Sequence, residues 1–291
     1  MPYRLNKLSF GTSKVEKIFD IDTDLNITYF LHANNFGYIF LIKDSHCIGY
    51  IDNSGKLQLP WMGDIGNCGN EDGTIPLFMF PSSICYSKDK TLYLLESGGS
   101  QIRKIDIDSK YVCSILGSEE KNNLNKFFPK LDSICDFETS CDIDPYGNLY
   151  WSIKSLHRCL KMSSENYAIK NYVGSGKPSF GNASHLDACC LFNPEGVQCI
   201  NKEVYIADSG NHCIRSVVEN SINVVFGHPL KQYLSSPSQI KFCKGLLYIK
   251  DRNIIYYYSI GDKNHGKIYE SENVKFIETN LQRDLLILEK K

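Results

Sequence analysis

Hydrophobic and polar positions along this chain follow one pattern that recurs. An aliphatic residue and a tyrosine lead into two or three apolar residues, then a polar turn, then a second apolar run. Gly37-Tyr38-Ile39-Phe40-Leu41-Ile42 passes through Asp44-Ser45-His46 to Cys47-Ile48-Gly49-Tyr50-Ile51. Leu92-Tyr93-Leu94-Leu95 passes through Glu96-Ser97-Gly98-Gly99-Ser100 to Gln101-Ile102-Arg103-Lys104-Ile105. Leu149-Tyr150-Trp151, Val204-Tyr205-Ile206 and Leu247-Tyr248-Ile249 repeat the opening, and the five tyrosines are 55, 57, 55 and 43 residues apart. Short runs rich in aromatic and β-branched residues, bounded by turn formers, predict strands. A near-constant period predicts stacked copies of one supersecondary unit.

Each tyrosine strand is preceded by another short strand, opening near residues 26, 81, 138, 194 and 237, and turns such as Pro145-Tyr146-Gly147-Asn148 join the two. A last strand follows in each unit, for example Tyr111–Leu116, Ala168–Val173 and Ile222–Phe226. Four antiparallel strands per unit predict the blade of a β-propeller. Five full units leave two strands at each end of the chain, at residues 3–19 and 274–291. The sequence therefore predicts an all-β, six-bladed β-propeller in one domain over residues 1–291, its last blade closed by N- and C-terminal strands so that no sheet edge is left open.

Composition narrows the function classes. The 291 residues carry 32 basic and 33 acidic side chains, a net charge of −1 without a basic patch, which disfavours RNA and argues against DNA. No apolar run of about 18 residues predicts a membrane span, and the first residues lack a secretory pattern, so a cytoplasmic location is expected. The 12 cysteines include no Cys-x-x-Cys pair and several sit inside strand patterns, which predicts reduced structural thiols.

The clearest copy runs Leu191-Phe192-Asn193-Pro194-Glu195-Gly196-Val197, then Glu203-Val204-Tyr205-Ile206-Ala207-Asp208-Ser209-Gly210-Asn211-His212-Cys213-Ile214-Arg215. It resembles the NHL repeat, named for an Asn-His-Leu triplet that here reads Asn211-His212-Cys213. Val173-Gly174-Ser175-Gly176-Lys177-Pro178 and the segment from Met62-Gly63 to Asp72-Gly73 resemble the family's glycine-rich interblade connectors. The units at 26, 138 and 237 depart from the triplet, with His46-Cys47, His157-Arg158 and Asn253-Ile254 in its place. The resemblance spans nearly the whole chain and implies the fold rather than an activity. Local physics already accounts for the triplet as a turn, in which Gly210 is able to adopt positive φ. His46, His157 and His212 fall at equivalent turns, the repeat showing through rather than a catalytic cluster.

In a propeller the first strand of each blade lines a central channel. Enzymes resembling this chain hold calcium or zinc at the starts of those strands. Here Glu138 and Glu195 are the acidic residues at such positions, weak candidates for a cation; no catalytic residue and no cofactor is expected. The connector at 117–137 carries Phe127 and Phe128, which either fold onto the core or form an exposed patch. With Trp61, Phe78, Phe80, Lys154, His157, Arg158 and Arg252 they are the candidate contacts for a protein partner. The expected function is a non-enzymatic interaction scaffold, working alone or as a subunit of an assembly. The alternatives are a metal-dependent lyase or hydrolase at the channel mouth, and single-stranded RNA binding, which the resemblance to some tripartite-motif relatives implies.

Overall fold

The computed structural model describes residues 2–9, 14–33, 35–98, 101–116, 140–231, 233–280 and 284–291. These form six four-stranded antiparallel sheets with little helix beyond single 3-10 turns, a six-bladed β-propeller. Blade 1 comprises β3 (Tyr29–His32), β4 (Tyr38–Ile42), β5 (Cys47–Ile51) and β6 (Leu57–Gly63); blade 2 comprises β7 (Pro81–Tyr86), β8 (Thr91–Glu96), β9 (Gln101–Asp106) and β10 (Val112–Leu116). Blade 3 holds β11 (Cys141–Ile143), β12 (Leu149–Ile153), β13 (Arg158–Met162) and β14 (Ile169–Val173). Blade 4 holds β15 (Pro194–Ile200), β16 (Glu203–Asp208), β17 (Cys213–Val218) and β18 (Ser221–Gly227), and blade 5 holds β19 (Pro237–Cys243), β20 (Leu246–Asp251), β21 (Ile254–Ser259) and β22 (His265–Glu270).

The sixth sheet is composite. Its order is β2-β1-β24-β23, from β1 (Tyr3–Leu8), β2 (Val15–Ile21), β23 (Val274–Thr279) and β24 (Leu285–Lys290). The pairing of β1 with β24 runs unbroken from Tyr3↔Lys290 to Leu8↔Leu285. Asn6 Nδ2 donates to Glu289 across that seam at 2.6 Å.

The chain divides into two compact units. One, Leu25–Thr139 with Met162–Lys170, contains blades 1 and 2; the other, Met1–Asp24, Ser140–Lys161 and Asn171–Lys291, contains most of blade 3, blades 4 and 5 and the composite blade. In the first, Leu31, Ile39 and Leu41 share a core cluster with Ile84, Leu92 and Leu94. In the second, Val204 and Ile206 pack with Tyr150 and Cys159 of blade 3, whereas Tyr205 and Ala207 pack with Leu247 and Ile249 of blade 5. A second strand is thus buried on both faces, which is why it reads as a continuous apolar run rather than an alternation. Each fully buried aliphatic or aromatic side chain contributes about 1.5–3 kcal/mol.

The first strands need more than apolar packing, because their outer N–H groups face no partner strand. Within the second unit, side chains of one blade answer the backbone of the next. Asp142 on β11 accepts the Cys199 N–H at 2.7 Å, Gln198 on β15 accepts the Phe242 N–H at 3.2 Å, and Gln239 on β19 accepts the Ile277 N–H at 2.9 Å. Asp142 keeps some solvent contact yet lies deep enough that burial pushes its carboxyl up to about 6.

Among the described residues the cysteines are free thiols. Burial pushes the Cys47 and Cys213 thiols up to about 11 and about 12, as inert core residues require.

Candidate interaction surface

The interblade connectors enter their next blade in one repeated way. Before the first strands of blades 2, 4 and 5 stand Phe78-Met79-Phe80-Pro81, Leu191-Phe192-Asn193-Pro194 and Leu234-Ser235-Ser236-Pro237. The leading residue, Phe78, Leu191 or Leu234, is fully buried. The next N–H is capped by the buried acid that ends the second strand: Met79 by Glu96 at 2.9 Å, Phe192 by Asp208 at 2.7 Å and Ser235 by Asp251 at 2.7 Å. An acceptor there satisfies backbone donors that would otherwise be buried unpaired.

The histidine of the preceding blade provides the second fastening. The Phe80 N–H donates to His46 Nδ1 at 3.2 Å and the Asn193 N–H to His157 Nδ1 at 3.1 Å. His212 Nδ1 instead meets the Ser235 carbonyl at 2.5 Å, which makes it the donor. His46 and His157 must therefore keep Nδ1 unprotonated, and burial holds the His157 pKa below its ordinary value. All three histidines have left-handed backbone, with φ of 55°, 54° and 56°, a region in which histidine, asparagine and aspartate are enriched. Positive φ falls on the histidine and not on Gly210, which is small because a Cβ there would lie 2.6 Å from the Phe192 ring.

Two arginines complete the fastening. Arg215 is fully buried, 3.5 Å from Asp208, donates to the Cys190 carbonyl at 2.9 Å and also bonds Asn182. Arg103 pairs with buried Glu96 at 3.1 Å and with Asp72 at 2.8 Å, and donates to the Glu71 and Leu77 carbonyls. Burial pushes both acids up despite these guanidiniums, Asp208 to about 6 and Glu96 to about 7. The Asp, His and Arg of the repeat are thereby committed to holding connectors in place.

Held this way, the connectors expose apolar side chains. In the second unit Phe180 and Phe192 lie on the blade 3–4 connector, and Leu230 and Tyr233, 87% and 60% exposed, lie on the blade 4–5 connector. Phe192 meets the His157 ring edge-on at 5.8 Å, Phe180 lies under the Arg215 guanidinium at 5.0 Å, and Tyr233 stands 6.4 Å from the His265 ring. Their rings are braced from beneath and open above. In the first unit Ile75, 87% exposed, and Phe80 occupy the corresponding connector.

The residues picked out from sequence fall unevenly on this surface. Arg252 is exposed, at φ 53°, in the turn between β20 and β21. Lys154 pairs with Glu195 at 2.8 Å. His157 is engaged as described, and Arg158 donates to the Ser175 carbonyl at 2.8 Å. Trp61 is only 7% exposed, stacked among Phe36 and Tyr50 with Lys110 over its ring, and Phe78 is in the core. Phe127, Phe128 and Glu138 lie outside the described residues. Leu230, Tyr233, Phe180 and Ile75 were not singled out, and an isolated apolar residue in a polar loop gives no periodic signal that could have done so. Among the described residues no three His, Cys, Asp or Glu side chains gather as a metal site, and no helix is long and apolar enough to cross a membrane.

No protein-family model matches the chain, and no curated protein matches it by sequence. Solved structures do match in fold. A chain from a nidogen/laminin complex aligns with a TM-score of 0.61 at 13% identity, covering 99% of this chain and 98% of that one. Virginiamycin B lyase from Staphylococcus aureus aligns at 0.58 and 12% identity over 99% and 88%. A streptogramin B lyase aligns at 0.57 and 11% identity over 99% and 98%. These likenesses establish the β-propeller; at such identity they assign no role.

Proposed function

We propose that this chain is an NHL-type propeller that acts as a non-enzymatic protein-interaction scaffold, presenting its interblade connectors to a protein partner. The carrying observation is the pair of connectors in the second unit: Phe180 and Phe192 are left exposed on a connector held by buried acid, histidine and arginine contacts, and Leu230 and Tyr233 on one held by Asp251 and His212. Aromatic side chains pinned in place lose little entropy on binding and are the residue type that dominates interface energetics. Arg252 and the half-exposed Lys154 add charged contacts at the same class of turn. The NHL assignment is supported by the way Asn211 and His212 act: Asn211 bridges Asp208 and the Ser179 carbonyl, and His212 holds Ser235.

The test is affinity capture of the full chain from cell extract, followed by cross-linking of the complex. The expected result is a protein partner whose cross-links fall on residues 174–193 and 228–236. Capture of nothing above background across salt conditions, or cross-links confined to the opposite ends of the blades, would overturn it.

A further inference from the structure

The three turn histidines occupy equivalent places, yet they do not hold their connectors with the same kind of bond. A backbone N–H can only donate, so the Phe80 and Asn193 amides fix Nδ1 of His46 and His157 as acceptors, at 3.2 and 3.1 Å. A carbonyl can only accept, so the Ser235 carbonyl fixes Nδ1 of His212 as a donor, at 2.5 Å. Protonation of the ring therefore has opposite consequences. An imidazolium carries a hydrogen on both nitrogens, so in His46 and His157 it sets N–H against a backbone N–H, whereas His212 keeps its bond. The exposed rings ride on the same contacts. Phe80 meets the His46 ring edge-on at 4.4 Å, and Phe192, the neighbour of Asn193, meets the His157 ring edge-on at 5.8 Å.

The buried acids at the same entries respond to pH in the other sense. Beside His157, Lys154 of its own turn pairs with Glu195, and Arg158, with Asp187 as the charge near it, donates to the Ser175 carbonyl. From the connector side Asp208 accepts the Phe192 N–H and pairs with Arg215. Beside His46 stand Lys43 and Asp44 of its own turn, and Glu96, which accepts the Met79 N–H and pairs with Arg103, itself paired with Asp72. Beside His212, Asp251 accepts the Ser235 and Ser236 N–H groups. Burial raises the Asp208 and Glu96 carboxyls, so folding favours their protonated form and acid does not weaken the fold through them. Burial lowers His157 instead. Its fastening is present above the ordinary histidine value and is lost as pH falls through the folded-state one.

We propose that His46 and His157 make the entries of blades 2 and 4 acid-labile while His212 leaves the entry of blade 5 acid-stable, so that acidification frees Phe80 and Phe192 and leaves Ser235 held. The same turn position thus carries a switch in two blades and a fixed clamp in a third, and the direction of one hydrogen bond decides which. The device acts on the surface proposed above to meet a partner, but it is a property of the chain alone. It is read without any partner, so its failure leaves that reading standing.

The test is amide hydrogen exchange of the full chain, resolved to single residues by NMR, at about pH 7.5 and about pH 5, with each rate divided by the intrinsic rate at that pH. Protection at Phe80 and Asn193 is expected to fall at least about tenfold on acidification, the scale of one lost hydrogen bond, while Ser235 and Ser236 stay within about twofold. Unchanged protection at Phe80 and Asn193, or an equal fall at all four amides, would overturn the proposal. His157→Asn separates the histidine from Asp208. Asparagine tolerates the left-handed backbone, its Oδ1 takes the place of Nδ1 as acceptor, and it does not titrate. The variant is expected to protect Asn193 equally at both pH values while Phe80 still responds; an acid-driven loss at Asn193 in His157→Asn would assign the response elsewhere and sink the idea. Imidazole nitrogen shifts of the parent give a check that needs no variant. At about pH 7.5 they are expected to show Nδ1 unprotonated in His46 and His157 and protonated in His212; a protonated Nδ1 in His46 or His157 would contradict the assignment.

Discussion

A Cβ on Gly174 would stand 2.4 Å from the carbonyl oxygen of His157. Gly227 has the same relation to the His212 carbonyl, at 2.4 Å, and Gly63 to the His46 carbonyl, at 2.7 Å. In blades 1, 3 and 4 the glycine at or just past the end of the last strand and the histidine of the turn are therefore one feature. The glycine permits the approach, and the turn carries the histidine that fastens the next connector. Gly174 is also at φ 114°, where L side chains are strained. Gly174→Ala is expected to cost about 1–3 kcal/mol, read as a lowered urea midpoint at unchanged m-value. An unaffected midpoint would show that the approach is not required.

The Asp208–Arg215 pair is fully buried on both sides. Removing the acid leaves a buried guanidinium uncompensated and frees the Phe192 N–H. Asp208→Ala is expected to cost about 3–5 kcal/mol. Lys90→Ala, which breaks the exposed pair with Asp108, is expected to leave the midpoint where it was. Equal effects from the two variants would contradict the assignment of the buried pair as a connector fastening.

Asp142 gives stability a pH dependence of known sign. Burial raises its carboxyl from the ordinary 3.8 to about 6, with Lys241 pulling it down and Glu278 pushing it up. The folded state thus binds the proton more tightly than the unfolded chain. The contribution is fully present below about pH 3.8 and is lost as pH rises through about 6. Asp142→Asn is expected to remove a loss on the order of 1–2 kcal/mol between pH 5 and 7.5, discounted for residual solvent contact. Urea midpoints of both proteins at the two pH values check this. A parent and variant that fall in parallel would contradict it.

His157 opposes that trend. Its pKa is held below the ordinary value, so its contribution is present above about 6.5 and is lost as pH falls through the folded-state pKa. His157→Ala also loses the bond to the Asn193 N–H and places alanine at φ 54°. It is expected to cost about 1–3 kcal/mol at pH 7.5 and to abolish this part of the acid sensitivity. Stability equal to the parent at pH 7.5 would show the fastening to be dispensable.

The strands were legible because apolar runs buried on both faces contrast sharply with polar turns. The composite blade was legible from Leu285-Leu286-Ile287-Leu288 and Tyr3-Arg4-Leu5, which lack other partners in the count of four. The phase of blade 1 was not. Its 3-10 turn begins at Lys43, five residues after Tyr38, whereas those of blades 3 and 4 begin four residues after Tyr150 and Tyr205. Tyr38 is thus one position out of step, and Ile39 occupies the equivalent site. The burial of a candidate contact is hidden for a related reason. Trp61 falls in a strand that ends beside a connector, and sequence alone does not reveal that Phe36 and Tyr50 cover it. The side-chain caps between first strands, such as Gln239 to Ile277, join residues far apart in the chain and leave no local pattern.

The exposed connector aromatics can be separated from an exposed aromatic elsewhere. Tyr146 is solvent-facing in the turn between β11 and β12, at the other end of its blade from the second-to-third strand turn. The most direct measurement is the affinity of the captured partner for the parent, for Phe192→Ser/Tyr233→Ser and for Tyr146→Ser, each with its fold verified by near-UV circular dichroism. The account predicts at least about a tenfold loss for the double variant, the scale of a single interface anchor of about 1.4 kcal/mol or more, and parent-like affinity for Tyr146→Ser. Full affinity in the double variant would contradict it.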